Sequence, residues 1–136
     1  MIKSLKLTNF EGHADTKIEF SPNTTLIVGG NHKGKTSIFA AWEWLCTNRP
    51  AGRSFVREGE TFCCVEADLG NCLIKRIVDT NLNRYVIKYK DNREETFNVV
   101  KDSVPSEVQS LLKHDSHNIQ SQSESLALDT HRAQQP

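Results

Sequence analysis

The sequence predicts an α/β fold, because a glycine-rich segment sits between a β-branched run and an amphipathic helical pattern, and alternating strands follow it as an antiparallel β-meander. In the first stretch Ile2, Leu5 and Leu7 are separated by lysines, Asn9 to His13 interrupts, and Ile18 and Phe20 then share a face, which gives two short strands. Ser21-Pro22-Asn23 is a turn by composition, and Thr24 to Val28 reads as a short buried central strand ending at Gly29-Gly30. A helix is expected from Lys35 to Cys46, with Ile38, Phe39, Trp42 and Leu45 as one buried stripe and Trp44 pointing elsewhere, towards the far side of the sheet or an absent lobe. Asn48-Arg49-Pro50 and Gly52 stop it.

From Thr61 onwards four strands are expected, at Phe62 to Asp68, Cys72 to Val78, Arg84 to Tyr89 and Glu95 to Val100, with hairpin chemistry in the gaps. Tyr85, Ile87 and Tyr89 fall on one face, and Arg84, Lys88 and Lys90 on the other, as in a sheet covered on one side. Pro105 opens a short helix with Val108, Leu111 and Leu112 as its apolar face, and the segment from His114 to Pro136 is polar and rich in Ser and Gln.

Composition limits the function. With 136 residues, 37% hydrophobic content and 17 basic against 17 acidic side chains, the chain has the makings of one globular unit and no dedicated basic arm for nucleic acid. No apolar run approaches the roughly 18 residues of a membrane span, and Met1 leads straight into a strand pattern, so the expectation is a cytoplasmic protein with no membrane partner. Cys46, Cys63, Cys64 and Cys72 lack metal-ligand spacing and read as small hydrophobes in a reducing compartment. His114 and His117 flank Asp115 without further ligands in register, and read as surface histidines. The basic face of Arg84, Lys88 and Lys90 reads as solvated.

The segment Gly29-Gly30-Asn31-His32-Lys33-Gly34-Lys35-Thr36 fits G-x-x-x-x-G-K-[ST] in its strand-to-helix setting, the arrangement of a P-loop NTPase. Glycines at 29 and 34 permit backbone conformations that aim successive N–H groups into one anion-binding nest, and the helix start adds its positive dipole end. Lys35 supplies a mobile charge for the β and γ phosphates, and the Thr36 hydroxyl a hard oxygen for Mg²⁺. The cofactors expected are therefore ATP or another nucleoside triphosphate and Mg²⁺, with Gly29 through Thr36 and the following Ser37 as binding residues. No apolar run ends in Asp-Glu, and Leu73 to Asp79 is interrupted by Lys75 and Arg76, so no catalytic residue is assigned and hydrolysis is incomplete in this chain. An Asn-Lys-x-Asp guanine-reading element is also missing.

Leu5 to Phe10, Ile18-Glu19-Phe20 and Leu26 to Ser37 resemble the opening of SbcC-type and structural-maintenance-of-chromosomes ATPases, and Arg49 to Gly52, Ser54 to Arg57, the hairpins from Val65 to Val78 and Asn118 to Gln122 resemble later landmarks of the SbcC-like branch. The resemblance implies the N-terminal lobe of an ABC-type head, residues 1–136, divided into 1–60 with the P-loop and its helix, 61–113 with the meander and short helix, and 114–136 with a Q-loop region. It also implies Gln120 as the glutamine that senses Mg²⁺ and the γ-phosphate, with Gln122 as the alternative. The partners it implies are a C-terminal half carrying the signature and Asp-Glu motifs beyond a coiled-coil arm, a second head, an SbcD-like nuclease and double-stranded DNA. This sequence departs from the family at His32, where glycine is usual, and at Glu11, where an arginine often contacts nucleotide. Two other readings are a self-sufficient small P-loop kinase and a non-catalytic interaction module on the same fold.

Overall fold

A computed structural model of the chain describes residues 2–20, 25–28, 35–49, 54–99 and 103–113. Seven strands form one sheet in the order β3-β2-β1-β4-β5-β6-β7, and every neighbouring pair is antiparallel. The strands are β1 (Ser4–Phe10), β2 (His13–Phe20), β3 (Thr25–Val28), β4 (Cys63–Asp68), β5 (Cys72–Val78), β6 (Asn83–Tyr89) and β7 (Glu94–Asn98). Helix α1 (Lys35–Thr47) packs on β1 and β4, and α2 (Ser106–Leu112) packs on α1.

Strict alternation builds the meander. Cys63, Val65 and Ala67 of β4, Cys72, Ile74, Arg76 and Val78 of β5, and Tyr85 and Ile87 of β6 are buried on the helix side, while the intervening residues are half-buried or exposed. Cys63 and Cys64 accordingly sit on opposite faces, and all four cysteines are thiols. Burial pushes the Cys64 thiol up to about 11, so it stays protonated and unreactive near neutral pH.

One device recurs at each hairpin of the meander. The carboxylates of Asp68, Asp79 and Asp91 accept the backbone N–H two residues on, from Gly70 (2.8 Å), Asn81 (2.8 Å) and Arg93 (3.1 Å). Positive φ at Gly70 (89°) and Asn92 (69°) lets the first and third of these turns close tightly. These turns fix the register that keeps the apolar set inward.

Two expectations are corrected. The apolar, β-branched β3 was expected in the centre of the sheet, but it stands at the edge: among the described residues only β2 pairs with it, through Lys17 to Phe20. Trp44 does not point away from the core; it is 1% exposed and belongs to the same cluster as Ile38, Trp42 and Leu45. The physical reason is that α1 is covered on more than one side. Positive φ at Asn9 (53°) breaks the alternation of β1, so Asn9 and Phe10 are both buried. Phe10 bridges Val56, and the Phe10, Phe55 and Trp44 rings meet at centroid separations of 4.3 to 5.8 Å.

Trp44→Ala should cost ~3–5 kcal/mol by urea denaturation, while Phe62→Ala, at a side chain 39% exposed, should cost less than about 1 kcal/mol.

Candidate functional site

The site is centred on the junction between β3 and α1. Strand β3 ends at Val28 and α1 begins at Lys35, so Lys35, Thr36 and Ser37 are the first three residues of the helix. Gly29 to Gly34, His32 included, lie outside the described residues, as do Gln120, Gln122, His114 and His117. The helix start is where unpaired backbone N–H groups and the positive end of the macrodipole converge. The junction therefore has the chemistry to hold a phosphate chain, with Thr36 as the residue type suited to Mg²⁺. Among the described residues no group of three or more His, Cys, Asp or Glu is placed to hold a metal by itself.

The β1–β2 turn reaches this end of the helix. The Ser37 hydroxyl donates a hydrogen bond to Glu11 Oε2, tying the first turn of α1 to the hairpin. Glu11 is held in place by its own backbone, which has φ 50° and donates its N–H to the Phe55 carbonyl at 2.7 Å.

The opposite end of α1 is anchored by residues that sequence reasoning passed over. Arg76 was read as an interruption of an apolar run, yet it is 2% exposed and lies at the inward parity of β5. Its Nε and Nη2 donate to Asn48 Oδ1 at 3.1 and 2.8 Å, and its Nη1 donates to the carbonyls of Ile77 (3.0 Å) and Arg84 (3.3 Å). The guanidinium also lies 4.8 Å from the centroid of Trp44 and 5.0 Å from that of Tyr85. Asn48, read as part of a helix stop, adopts φ 58° just past the helix and donates its N–H to the Trp44 carbonyl at 2.8 Å. The Tyr85 hydroxyl donates to the carbonyls of Leu45 (2.8 Å) and Trp44 (3.3 Å). The phenol thus serves carbonyls of the last helical turn, and the buried cation lies at the negative dipole end, bonded to Asn48 just past the helix. Parity was the available signal: Arg76 is in phase with Cys72, Ile74 and Val78.

Burial lowers the Arg76 guanidinium from its ordinary value, opposed by neighbouring Tyr85, and burial pushes the Tyr85 phenol up from 10.0, opposed by Arg76. Arginine remains charged under such a shift. For Leu73 to Asp79 the structure agrees with the sequence reading, since β5 is a strand of the meander and ends in the Asp79 turn.

A strand running into a helix through a glycine-rich P-loop sequence, beside an antiparallel sheet, is the lobe of a P-loop ATPase head. The AAA domain family matches residues 4–134, so the chain belongs to that family, and within it corresponds to the N-terminal part of an SMC/Rad50-type ABC ATPase head. The DNA replication and repair protein RecF of Lachnoclostridium phytofermentans is 32% identical over 90 residues, covering 66% of this chain and 25% of that protein. The DNA double-strand break repair Rad50 ATPase of Methanococcus maripaludis is 36% identical over 85 residues, covering 56% of this chain and 8% of that protein. RecF of Nostoc punctiforme is 36% identical over 72 residues, covering 50% of this chain and 19% of that protein. The chain thus spans a quarter or less of the length of these curated relatives. Among solved structures, the recombination mediator RecF with ATP matches with a TM-score of 0.54 at 24% identity, over 84% of this chain and 31% of that one. A structure from work on ATP-driven dimerization and DNA-stimulated activation of SMC ATPases matches with a TM-score of 0.51 at 20% identity, over 82% and 77%. These two likenesses establish the fold. Among the described residues no helix is long and apolar enough to cross a membrane.

Arg76→Met should destabilise the chain by ~2–4 kcal/mol, because it leaves Asn48 Oδ1 and two carbonyls without their buried donor, and Tyr85→Phe by ~1–2 kcal/mol. Tyr85 also makes stability depend on alkaline pH. Below pH 10.0 the phenol is protonated in both states; above it the unfolded chain ionises while the folded chain holds its proton, so stability falls as pH rises past that point. Denaturation series between pH 8 and about pH 11 should show a shallower decline for Tyr85→Phe than for the parent.

Proposed function

We propose that this chain is the Mg²⁺-ATP-binding lobe of a DNA-repair or recombination ATPase head of the SbcC-like kind. The observation that carries the reading is the continuity of β3, the sequence Gly29 to Gly34, and an α1 that begins at Lys35. In this reading Gly29, Gly30, Asn31, His32, Lys33 and Gly34 line the phosphate nest with their backbone, Lys35 supplies its positive charge, and Thr36 and Ser37 supply hydroxyls. Magnesium, bound with the triphosphate, neutralises phosphate charge; Thr36 is its ligand from this chain, joined by Gln120 or, failing that, Gln122.

The proposal extends to partners. No residue of the chain is assigned to activate water, so turnover depends on a C-terminal half bearing the acidic motif and on a second head. A coiled-coil arm between the two halves, double-stranded DNA and an SbcD-like nuclease complete the assembly in a cytoplasmic or nucleoid-associated setting. That β3 has one neighbour among the described residues supports the reading of a further lobe, because an apolar β-branched strand gains from a second hydrogen-bonded neighbour.

Calorimetry with Mg²⁺-ATP tests this directly. The parent chain should bind without sustained phosphate release, and Lys35→Ala should weaken binding at least tenfold while leaving the melting temperature within a few degrees. Sustained turnover by the chain alone would indicate a self-sufficient P-loop enzyme, and equal affinity of parent and mutant would indicate an interaction module.

A further inference from the structure

The phosphate end of α1 carries a carboxylate that a phosphate site does not need. Glu11 Oε2 accepts the hydrogen bond of the Ser37 hydroxyl, one residue beyond Thr36 in the first turn of the helix. The carboxylate is delivered there by a constrained backbone. Glu11 has a positive φ of 50°, unusual for a residue with a side chain, and its N–H is bonded to the Phe55 carbonyl. On one side Phe10 is locked into the ring stack with Trp44 and Phe55, and on the other β2 begins two residues later at His13. The turn therefore has little freedom to carry the side chain away from the helix.

We propose that Glu11 is an affinity- and specificity-setting residue of the nucleotide site, which discriminates against metal-free triphosphate and in favour of the magnesium complex. This rests on the reading of the β3–α1 junction as an ATP site. The physical basis is charge. A negative group beside the helix start, exposed and bonded to Ser37, repels a bound polyphosphate in proportion to the ligand's own charge, and Mg²⁺ removes two of the roughly four negative charges of free ATP. It also holds the Ser37 hydroxyl, which a phosphate oxygen would otherwise compete for.

The test is Glu11→Gln in the full chain, because the amide oxygen can still accept from Ser37 while the charge is gone. Affinity for ATP is measured by calorimetry in EDTA and in excess Mg²⁺, each at low and high salt. Removing the charge should tighten metal-free ATP by ~tenfold and Mg²⁺-ATP by only about threefold, with both gains shrinking at high ionic strength. Glu11→Ala, which also removes the hydrogen bond, should follow Glu11→Gln if charge is the cause. Unchanged or weaker binding in Glu11→Gln, or equal gains for the two ligands, would overturn the inference and leave the ATP-site reading intact provided the parent binds. If neither parent nor variant binds while both melt cooperatively, the ATP-site reading fails and the inference with it.

Discussion

The buried guanidinium of Arg76 is the interaction on which the rest of the lobe depends. It joins β5, the end of α1 and β6 through Asn48, the Ile77 and Arg84 carbonyls, and the faces of Trp44 and Tyr85. A charge withdrawn from water is costly unless its donors are satisfied, and here four of the guanidinium's hydrogen bonds go to fixed oxygen acceptors. The acceptors are themselves held by backbone geometry, with Asn48 in the left-handed region at the helix end. Replacing the cation by an apolar side chain of similar length would leave Asn48 Oδ1 and the Ile77 and Arg84 carbonyls without this donor, and the helix end without its buried positive charge.

This anchoring explains how a short helix can present its first turn reproducibly. At 13 residues α1 is about 20 Å long, so an angular error at its C-terminal end would displace Lys35 by several ångströms. The helix is tied at both ends. Arg76 and Tyr85 hold the last turn against the meander, Trp44 of that same turn packs against Phe10 and Phe55, and Ser37 meets Glu11 at the first. The position of the first turn and the stability of the core are thus parts of one mechanical arrangement, with the proposed phosphate site at one end of the rod and its support at the other.

The meander was legible in the sequence because alternation and turn residues report the same thing there: Asp68, Asp79 and Asp91 mark the three hairpins that Cys72, Ile74, Tyr85 and Ile87 line with core. The P-loop sequence was legible from spacing and setting. Periodicity failed on α1, since a single-stripe reading cannot anticipate a helix buried at Ile38, Ala41, Trp42, Trp44, Leu45 and, just past its end, Asn48. It also failed on Arg76, where residue type outweighed parity, and on β3, whose composition suits a central strand although it has one neighbour among the described residues. The contact of Ser37 with Glu11 spans 26 positions and joins a turn to a helix start, so no local pattern encodes it.

The two edges of the sheet are chemically unlike. Strand β7 ends the sheet with Glu94 and Glu95 beside exposed Thr96 and Asn98, whereas β3 is the uncharged run Thr-Leu-Ile-Val. Charge on an edge discourages a newcomer, and its absence invites one. Joining a β3 edge to a β7 edge would generate an open chain of lobes without limit, while two β3 edges meeting would close on a twofold axis. Among the described residues, the glutamates of one margin therefore weigh against the open chain, in which that margin would have to take part.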